Sequence, residues 1–72
     1  MNEDIIIRIG EGIRELRIAK GYTSYEMFAY DNNLSRVQYW RIEKGKTNIT
    51  INSLVKILNI HNISISEFFN SI

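Results

Sequence analysis

The segment SRVQYWRIEKG, residues 35–45, carries the start and stop signals of one short helix. The hydroxyl of Ser35 can accept a hydrogen bond from a backbone N–H that is otherwise unpaired in the first turn of a helix. Gly45 can adopt the left-handed backbone conformation that commonly follows the last turn. We therefore predict a helix at about residues 35–44.

This helix should have one inward side and one cationic side. At about 100° per residue, Tyr39, Ile42 and the stem of Glu43 share one face. The remaining side combines cationic, amide and aromatic groups: Arg36, Val37, Gln38, Trp40, Arg41 and Lys44. In a DNA major groove, Arg can form paired hydrogen bonds to guanine and Gln to adenine. Taken alone, the same residues fit a solvated helix face with one exposed Trp about as well.

The composition is that of one small globular domain covering residues 1–72. Hydrophobic residues make up 44% and charged residues 24% of the chain. The absence of Cys excludes disulfides and thiolate metal sites, and one His cannot form a metal cluster alone. No apolar run approaches the length that spans a membrane, and the N-terminus lacks the basic start of a signal peptide. We therefore expect a cytoplasmic protein that binds no metal or other cofactor.

The distribution of charge and the lack of catalytic motifs restrict the classes of function that the chain could have. The net charge is only +1, but residues 35–47 carry four basic side chains against the single acid Glu43. This local excess favours a nucleic-acid partner more than the net charge does. The chain has no nucleophile–base constellation, and its Gly10-Glu11-Gly12 segment lies within a helical pattern rather than in a dinucleotide-binding loop. We therefore predict that the protein is not an enzyme.

Helical periodicity extends over the rest of the chain. At about residues 2–20, apolar side chains recur at helical spacing (Ile6, Ile9, Ile13 and Leu16, with Ile5 and Ala19 widening the face), and either Asn2 or Asp4 can cap the start. Gly10 and Gly12 each cost about 1 kcal/mol in a helix relative to Ala, and they can permit close helix packing. A short helix at about residues 24–32 begins with either a Thr23–Glu26 capping box or a Ser24 cap, and points Phe28 and Ala29 inward.

Two further helices should follow the opening segment. Thr50 can cap a helix that runs to about His61, with one apolar face formed by Ile51, Leu54, Ile57, Leu58 and His61. Asn62 can end it in the left-handed conformation, and Ser64 with Glu67 forms a capping box for the last helix. The sequence thus predicts an all-α fold of five short helices.

The turn at Asn32-Asn33 gives the second and third helices the spacing of a helix-turn-helix motif, at about residues 24–44. With this spacing, the chain resembles the lambda-repressor/Cro-like (Xre-type) helix-turn-helix domain. The similarity covers about residues 9–69, in GEGIRELRIAKG, SYEMFA, LSRVQYWRIEKG and SLVKILNIHNISISEFF. Members of this family bind operator DNA, usually as dimers, with the second helix of the motif in the major groove.

The resemblance implies roles for particular residues. The base-reading positions match Arg36, Val37 and Arg41, with Gln38 as a neighbouring candidate. The positions that hold the DNA backbone match Ser24, Tyr25, Ser35, Lys44, Lys46 and Thr47, and Trp40 could pack against the sugar-phosphate chain. Arg17 and Glu43 match positions that often form an ion pair joining the first helix to the recognition helix. Val37 would contact a thymine methyl group rather than form a hydrogen bond.

The chain departs from the family pattern at several positions. One extra residue lies between Gly21 and Ser24, and Tyr25 replaces the usual amide. Asn32 and Asn33 stand where the family prefers an apolar residue and Gly. His61 stands where Leu is usual. We expect a neutral, hydrogen-bonded histidine there, with a pH switch as the less favoured interpretation.

Two aromatic groups allow alternative interpretations. Tyr22, Tyr25 and Tyr30 could form a stacking platform for single-stranded nucleic acid, although we expect at least two of them to complete the core. The last helix and tail (Phe68, Phe69 and Ile72) could be core or a dimer surface. The first helix, with Ile7 and Ile18 off its core face, is the second candidate for that surface.

We therefore predict a sequence-specific transcriptional regulator of bacterial or phage type that binds double-stranded DNA. It should act as a homodimer on a pseudo-palindromic operator, with two recognition helices about 34–36 Å apart. The alternative is a protein-interaction module on the same fold, such as an antitoxin or adaptor with a protein partner. A third hypothesis is that the chain is the DNA-binding piece of a longer polypeptide or complex.

Overall fold

The computed structural model describes residues 3–72, and five helices succeed one another in that range. They are α1 (Glu3–Ala19), α2 (Tyr25–Asp31), α3 (Arg36–Glu43), α4 (Ile51–Ile60) and α5 (Ile65–Ser71). The described residues form no strand, so the predicted all-α class is confirmed. The cap predicted at Asn2 lies outside the described residues.

Hydroxyl side chains cap four of these helices. The oxygens of Ser24, Ser35, Thr50 and Ser64 accept hydrogen bonds from backbone N–H groups three residues further on, at 3.1–3.3 Å. At α5 both halves of the predicted capping box are present, because Glu67 accepts in turn from the Ser64 N–H. At α2, Ser24 is the cap, so the Thr23–Glu26 box is wrong and the alternative holds. Each cap of this kind stabilises a helix by about 1 kcal/mol.

The turns use asparagine where a left-handed backbone is needed. Asn33, between α2 and α3, has φ 57°, and Asn62, after α4, has φ 55°. Asn tolerates this region because its short polar side chain can form local hydrogen bonds. The predicted turn of the motif is therefore present, although Asn33 replaces the Gly that the family prefers.

The core is centred on Phe28 of α2. Its ring makes an edge contact with Tyr22, a tilted contact with Tyr39 and a parallel stack with His61, at centroid distances of 5.2, 5.1 and 5.3 Å. Buried residues from the other helices, and Ile49 from the segment between α3 and α4, belong to the same core: Ile9, Ile13, Leu54, Ile57, Leu58 and Phe68 are the helical ones. Burial of such side chains is the main stabilising contribution to a fold of this size.

Two residues assigned to apolar faces are exposed. Ile51 is 63% exposed because it is the first residue of α4, whose buried side chains begin at Leu54. Ala19 is the last residue of α1, and the buried side chains of that helix end at Arg17. In both cases the helical period is correct, but the helix extends beyond its packing partners.

Two glycines let α1 approach its neighbours closely, as the sequence suggested. A Cβ on Gly10 would lie 2.4 Å from the Ile42 carbonyl oxygen and 2.7 Å from that of Glu43. A Cβ on Gly12 would lie 2.7 Å from Cγ2 of Ile72 and 2.9 Å from Cε1 of Phe68. The backbone of α1 therefore packs directly against the last turn of α3 and against side chains of α5 and the chain end.

None of the helices formed by residues 3–72 is both long and apolar enough to cross a membrane.

Candidate nucleic-acid interface

The helix α3 has a buried side and a broad exposed side. Tyr39 is 1% and Glu43 7% exposed, and Ile42 is half-buried. The exposed arc holds the residues predicted to read bases: Arg36, Val37, Gln38 and Arg41. Val37 is 59% exposed on this arc, so most of this apolar side chain faces solvent. Cationic, amide and apolar groups thus face outward together.

A buried ion pair fixes the far end of α3 to α1. Arg17 Nε donates to Glu43 Oε2 at 2.7 Å, and Arg17 Nη2 donates to Glu43 Oε1 at 3.0 Å. A third donor, Nη1, reaches the Tyr22 carbonyl oxygen at 2.9 Å. The predicted pairing is therefore present, with side chains only 6% and 4% exposed. Removing one partner of such a pair costs about 3–5 kcal/mol, because the other charge stays buried.

The pair also changes the charge of the exposed face. The hydrogen bond to Glu43 raises the pKa of Arg17 and outweighs the opposing effect of burial, so the buried guanidinium stays charged. Because Arg17 neutralises Glu43, the acid in the segment 35–47 does not oppose the basic groups on the surface. The outward cations are Arg36, Arg41, Lys44 and Lys46.

Tyr39 lies beside this pair without bonding to it. Its hydroxyl is buried and has no hydrogen-bond partner within residues 3–72. Burial raises the pKa of Tyr39 far above its ordinary value, and the neighbouring Glu43 carboxylate adds to the effect. Tyr39 therefore remains a neutral packing residue under α3.

The residues predicted to contact the DNA backbone differ in their exposure and in the hydrogen bonds that they already form. The hydroxyl oxygens of Ser24 and Ser35 accept bonds as helix caps, but each keeps an O–H that can still donate to a phosphate. Lys44 and Lys46 are exposed, whereas Thr47 is half-buried. Tyr25 is half-buried and packs against the core. Lys44, Lys46 and Ser35 are therefore the most exposed of these candidates, and Ser24, Tyr25 and Thr47 are half-buried.

Trp40 lies at the junction of the two helices of the motif. It is half-buried and lines a surface depression with Tyr25, Glu26, Arg36 and Val37. A second depression lies alongside, lined by Ser24, Glu26, Met27, Tyr30, Leu34 and Arg36. Glu26 lines both, although the sequence analysis did not select it as a site residue. The first turns of α2 and α3 lie side by side at this depression, although the turn that joins the helices follows the last turn of α2.

The three tyrosines do not form a stacking platform. Tyr22 and Tyr25 pack against the core, and the Tyr22 hydroxyl donates to Asp31 Oδ2 at 2.7 Å. Tyr30 is 79% exposed on α2. Two of the three therefore complete the core, as expected.

The dimer surface predicted at the chain end needs one correction. Phe68 is 1% exposed and packs in the core beneath α1, so it cannot form a surface. Its neighbour Phe69 is 38% exposed, and Ile65, one turn earlier on α5, is 37% exposed. Ile72 is half-buried, and its carbonyl oxygen accepts a hydrogen bond from Arg8. The exposed apolar pair on α5 is thus Ile65 and Phe69.

His61 is less well satisfied than predicted. Its ring stacks on Phe28 with an interplanar angle of 3°, and its Nε2 is buried without a partner in the described part of the chain. The expected hydrogen-bonded histidine therefore has no partner at Nε2 in this part of the chain, and the ring is held by stacking instead. Burial lowers the pKa of His61, and the positive charge of Lys20 lowers it further.

No group of three or more His, Asp or Glu side chains within residues 3–72 is arranged to hold a metal ion.

A helix-turn-helix family model matches residues 13–68, the segment that contains α2, α3 and the buried pair's Glu43. The chain belongs to the lambda-repressor/Cro-like helix-turn-helix family. Like the other members, it is a DNA-binding transcriptional regulator. The resemblance read from the sequence is thereby confirmed.

Two curated proteins are similar over most of the chain. Control protein C.MunI from Mycoplasma sp is 41% identical over 69 residues, which cover 96% of this chain and 93% of that protein. Control protein C.BamHI from Bacillus amyloliquefaciens is 30% identical over 57 residues, which cover 79% of this chain and 70% of that protein. No solved structure matches the chain.

Proposed function

We propose that this regulator binds a specific, pseudo-palindromic DNA operator as a homodimer, with α3 in the major groove. The observation that carries the proposal is the exposed arc of α3, which holds two Arg, one Gln and one Val on a helix fixed from behind by a buried ion pair. A rigid helix with donors and an apolar group on its outer side can discriminate base edges. The name control protein, borne by both relatives, is consistent with such a role.

In the proposed complex, two sets of residues have different tasks. Arg36 and Arg41 bind base edges, Val37 contacts a thymine methyl group, and Gln38 reads a neighbouring base. The phosphates are held by Ser24, Ser35, Lys44 and Lys46, with lesser contributions from Tyr25 and Thr47. Trp40 packs against the sugar-phosphate chain at the edge of the depression. Phosphate contacts supply affinity and register, whereas base contacts supply specificity.

Dimerisation through α5 fits the operator geometry that we propose. A pseudo-palindrome presents two equivalent half-sites about 34–36 Å apart, and a twofold dimer presents two recognition helices to them. Ile65 and Phe69 supply the exposed apolar surface for a second copy of this chain. Because the target is chromosomal or phage DNA, we propose that the protein acts in the cytoplasm.

Two substitutions, each of which removes one positive charge, test whether base contacts and phosphate contacts are made by different residues. Arg41→Ala should weaken binding by about 1–3 kcal/mol and relax the preference at one base pair, because it removes a base contact. Lys46→Ala should weaken binding to all sequences alike and reduce the salt slope by about one, because it removes a phosphate contact. Sequences selected from a random duplex pool, followed by titration at several salt concentrations, measure both effects. Absence of an enriched motif, with Arg41→Ala binding like the wild type, would contradict the proposal.

A second function remains supported by one observation. Met27 and Tyr30 are 55% and 79% exposed on α2, and the proposed DNA contacts do not use them. Exposed apolar side chains of this kind suit a protein partner, as in an antitoxin or adaptor. A mobility-shift experiment on random duplex DNA separates the two functions. No binding even at low salt would favour the protein-interaction module.

A further inference from the structure

Glu26 is an acidic residue on the surface that should face DNA. It is exposed in the first turn of α2, and together with Arg36 it lines both depressions at the junction of α2 and α3. No other residue is shared by the two depressions. Glu26 and Arg36 are therefore neighbours where the two depressions adjoin.

Neither charge is occupied elsewhere in the described part of the chain. Glu26 and Arg36 form no hydrogen bond or ion pair with any of residues 3–72, in contrast to the tightly bonded Arg17 and Glu43. A carboxylate near phosphates weakens DNA binding by repulsion unless it contributes something else. Glu26 shares both depressions with Arg36, the first residue of α3.

We propose that Glu26 is a specificity-determining residue, which orients the guanidinium of Arg36 for paired hydrogen bonding to a guanine. This inference rests on the proposed function. A guanidinium has five N–H donors in one plane, and a guanine edge uses two of them. The remaining donors are free for a carboxylate in the same plane. Glu26 accepts from these donors when DNA is bound and holds the plane of Arg36 in the base-reading orientation.

The simpler role of Glu26 is to stabilise the start of α2. An acidic side chain in the first turn interacts favourably with the helix dipole. That role depends on charge and position alone, so Asp would fulfil it as well as Glu. The orienting role also depends on reach, because Asp is one methylene shorter. This difference separates the two roles experimentally.

The test compares four variants of the full chain with the wild type. One of them, Arg36→Ala, identifies the base pair that Arg36 reads. Glu26→Asp keeps the charge, Glu26→Gln removes it, and Glu15→Gln is a control that removes the same charge from an exposed site on α1 near the chain end. Each protein is used to select from a random duplex pool, and its affinity for the selected site and for single-base variants of that site is titrated. Thermal unfolding of each variant reports on the start of α2.

We expect both Glu26 variants to lose about five- to tenfold of the preference at one base pair, the one that Arg36→Ala also relaxes. Glu26→Gln should in addition bind random DNA more tightly than the wild type, because repulsion from the phosphates is removed. Glu15→Gln should keep the wild-type preference at every position.

Three results would overturn the inference, and they are distinguishable. If the wild type selects a motif and both Glu26 variants keep its preference at every base pair, Glu26 acts only at the start of α2. If the wild type itself selects no motif, the proposed function fails and the inference fails with it. A loss of preference in Glu26→Gln alone, with Glu26→Asp unchanged, would also contradict the role of reach.

Discussion

At the residue scale, His61 lies in surroundings that favour its neutral form. Its ring is stacked on Phe28, its Nε2 is buried without a partner among residues 3–72, and Lys20 is the charged group that acts on it. Burial and the Lys20 charge both lower the pKa of His61 below its ordinary value near 6.5. A proton therefore binds the unfolded chain more readily than the folded one.

This difference makes stability depend on pH in a defined direction. Well above about pH 6.5 neither state binds the proton, and His61 contributes no pH dependence. Below it the unfolded chain is protonated first, so the free energy of unfolding falls as the pH falls. The slope is at most about 1.4 kcal/mol per pH unit, and less because solvent screens the half-buried ring.

Urea unfolding of the wild type and His61→Leu, compared between about pH 5 and pH 8, measures the effect. His61→Leu carries the residue usual in the family. Its free energy of unfolding should lack the part of the pH dependence that His61 gives the wild type between about pH 5 and pH 6.5. Other titrating groups act equally on both proteins and cancel in the difference. Parallel pH profiles for the two proteins would show that His61 titrates alike in the folded and unfolded chains.

These residues also show where sequence reasoning succeeds and where it stops. The Arg17–Glu43 pair followed from the family positions, because ion pairing needs only two opposite charges brought into reach. The stacking of His61 on Phe28 could not be predicted, because the two residues lie 33 positions apart in the chain. Glu26 was overlooked because a first-turn acid is usual in helices whether or not it faces a ligand.

At the scale of the elements, the capping residues predicted where helices begin more accurately than apolar periodicity predicted which residues are buried. Ser35, Thr50 and Ser64 begin their helices as predicted, because a cap is a local interaction between a hydroxyl and a nearby N–H. The apolar period correctly placed most buried residues. The period does not show where a helix extends beyond the elements it packs against. Ile51 and Ala19 were therefore assigned to buried faces although they are exposed.

The contact between α1 and α3 leads to a prediction for Gly10→Ala. Ala favours a helix by about 1 kcal/mol over Gly, so the local effect is stabilising. The added Cβ would lie 2.4 Å from a backbone oxygen of Ile42, and that oxygen cannot move unless α3 moves with it. We expect a net destabilisation of about 1–3 kcal/mol from overpacking, and weaker DNA binding because α3 is displaced.

Urea unfolding and DNA titration of Gly10→Ala test this, with Glu11→Ala as the control. Glu11 is exposed on the same helix, so its replacement should change stability by no more than about 0.5 kcal/mol. A Gly10→Ala protein as stable as the wild type, with unchanged DNA affinity, would mean that α1 and α3 separate at little cost.

At the scale of the whole molecule, the packing of α5 against α1 decides which of two adjacent phenylalanines is buried. The sequence shows Phe68 and Phe69 next to each other in a short helix, and periodicity alone cannot decide which faces inward. The decision comes from α1, where Gly12 leaves room for the Phe68 ring. Phe69 then remains at the surface, in edge contact with Phe68 at 5.5 Å.

A pair of charge substitutions tests which surface joins two copies of the chain. Ile65→Glu puts a carboxylate on the proposed α5 surface, at the first position of a helix where an acid is favourable, so the monomer should stay folded. Ile18→Glu puts the same charge on α1, the second candidate, where Ile18 is 44% exposed. Because a buried, unpaired charge is costly, Ile65→Glu should raise the dimer dissociation constant by more than about tenfold.

Analytical ultracentrifugation over a range of protein concentrations gives the dissociation constants of the wild type and the two variants. On a duplex with both half-sites, Ile65→Glu should bind as independent monomers, since the contact that couples the two half-sites is lost. If Ile18→Glu dissociates the dimer and Ile65→Glu does not, the interface lies on α1 rather than on α5. A dimer that survives both substitutions would exclude both surfaces, because neither α1 nor α5 could then bury the introduced carboxylate between two copies.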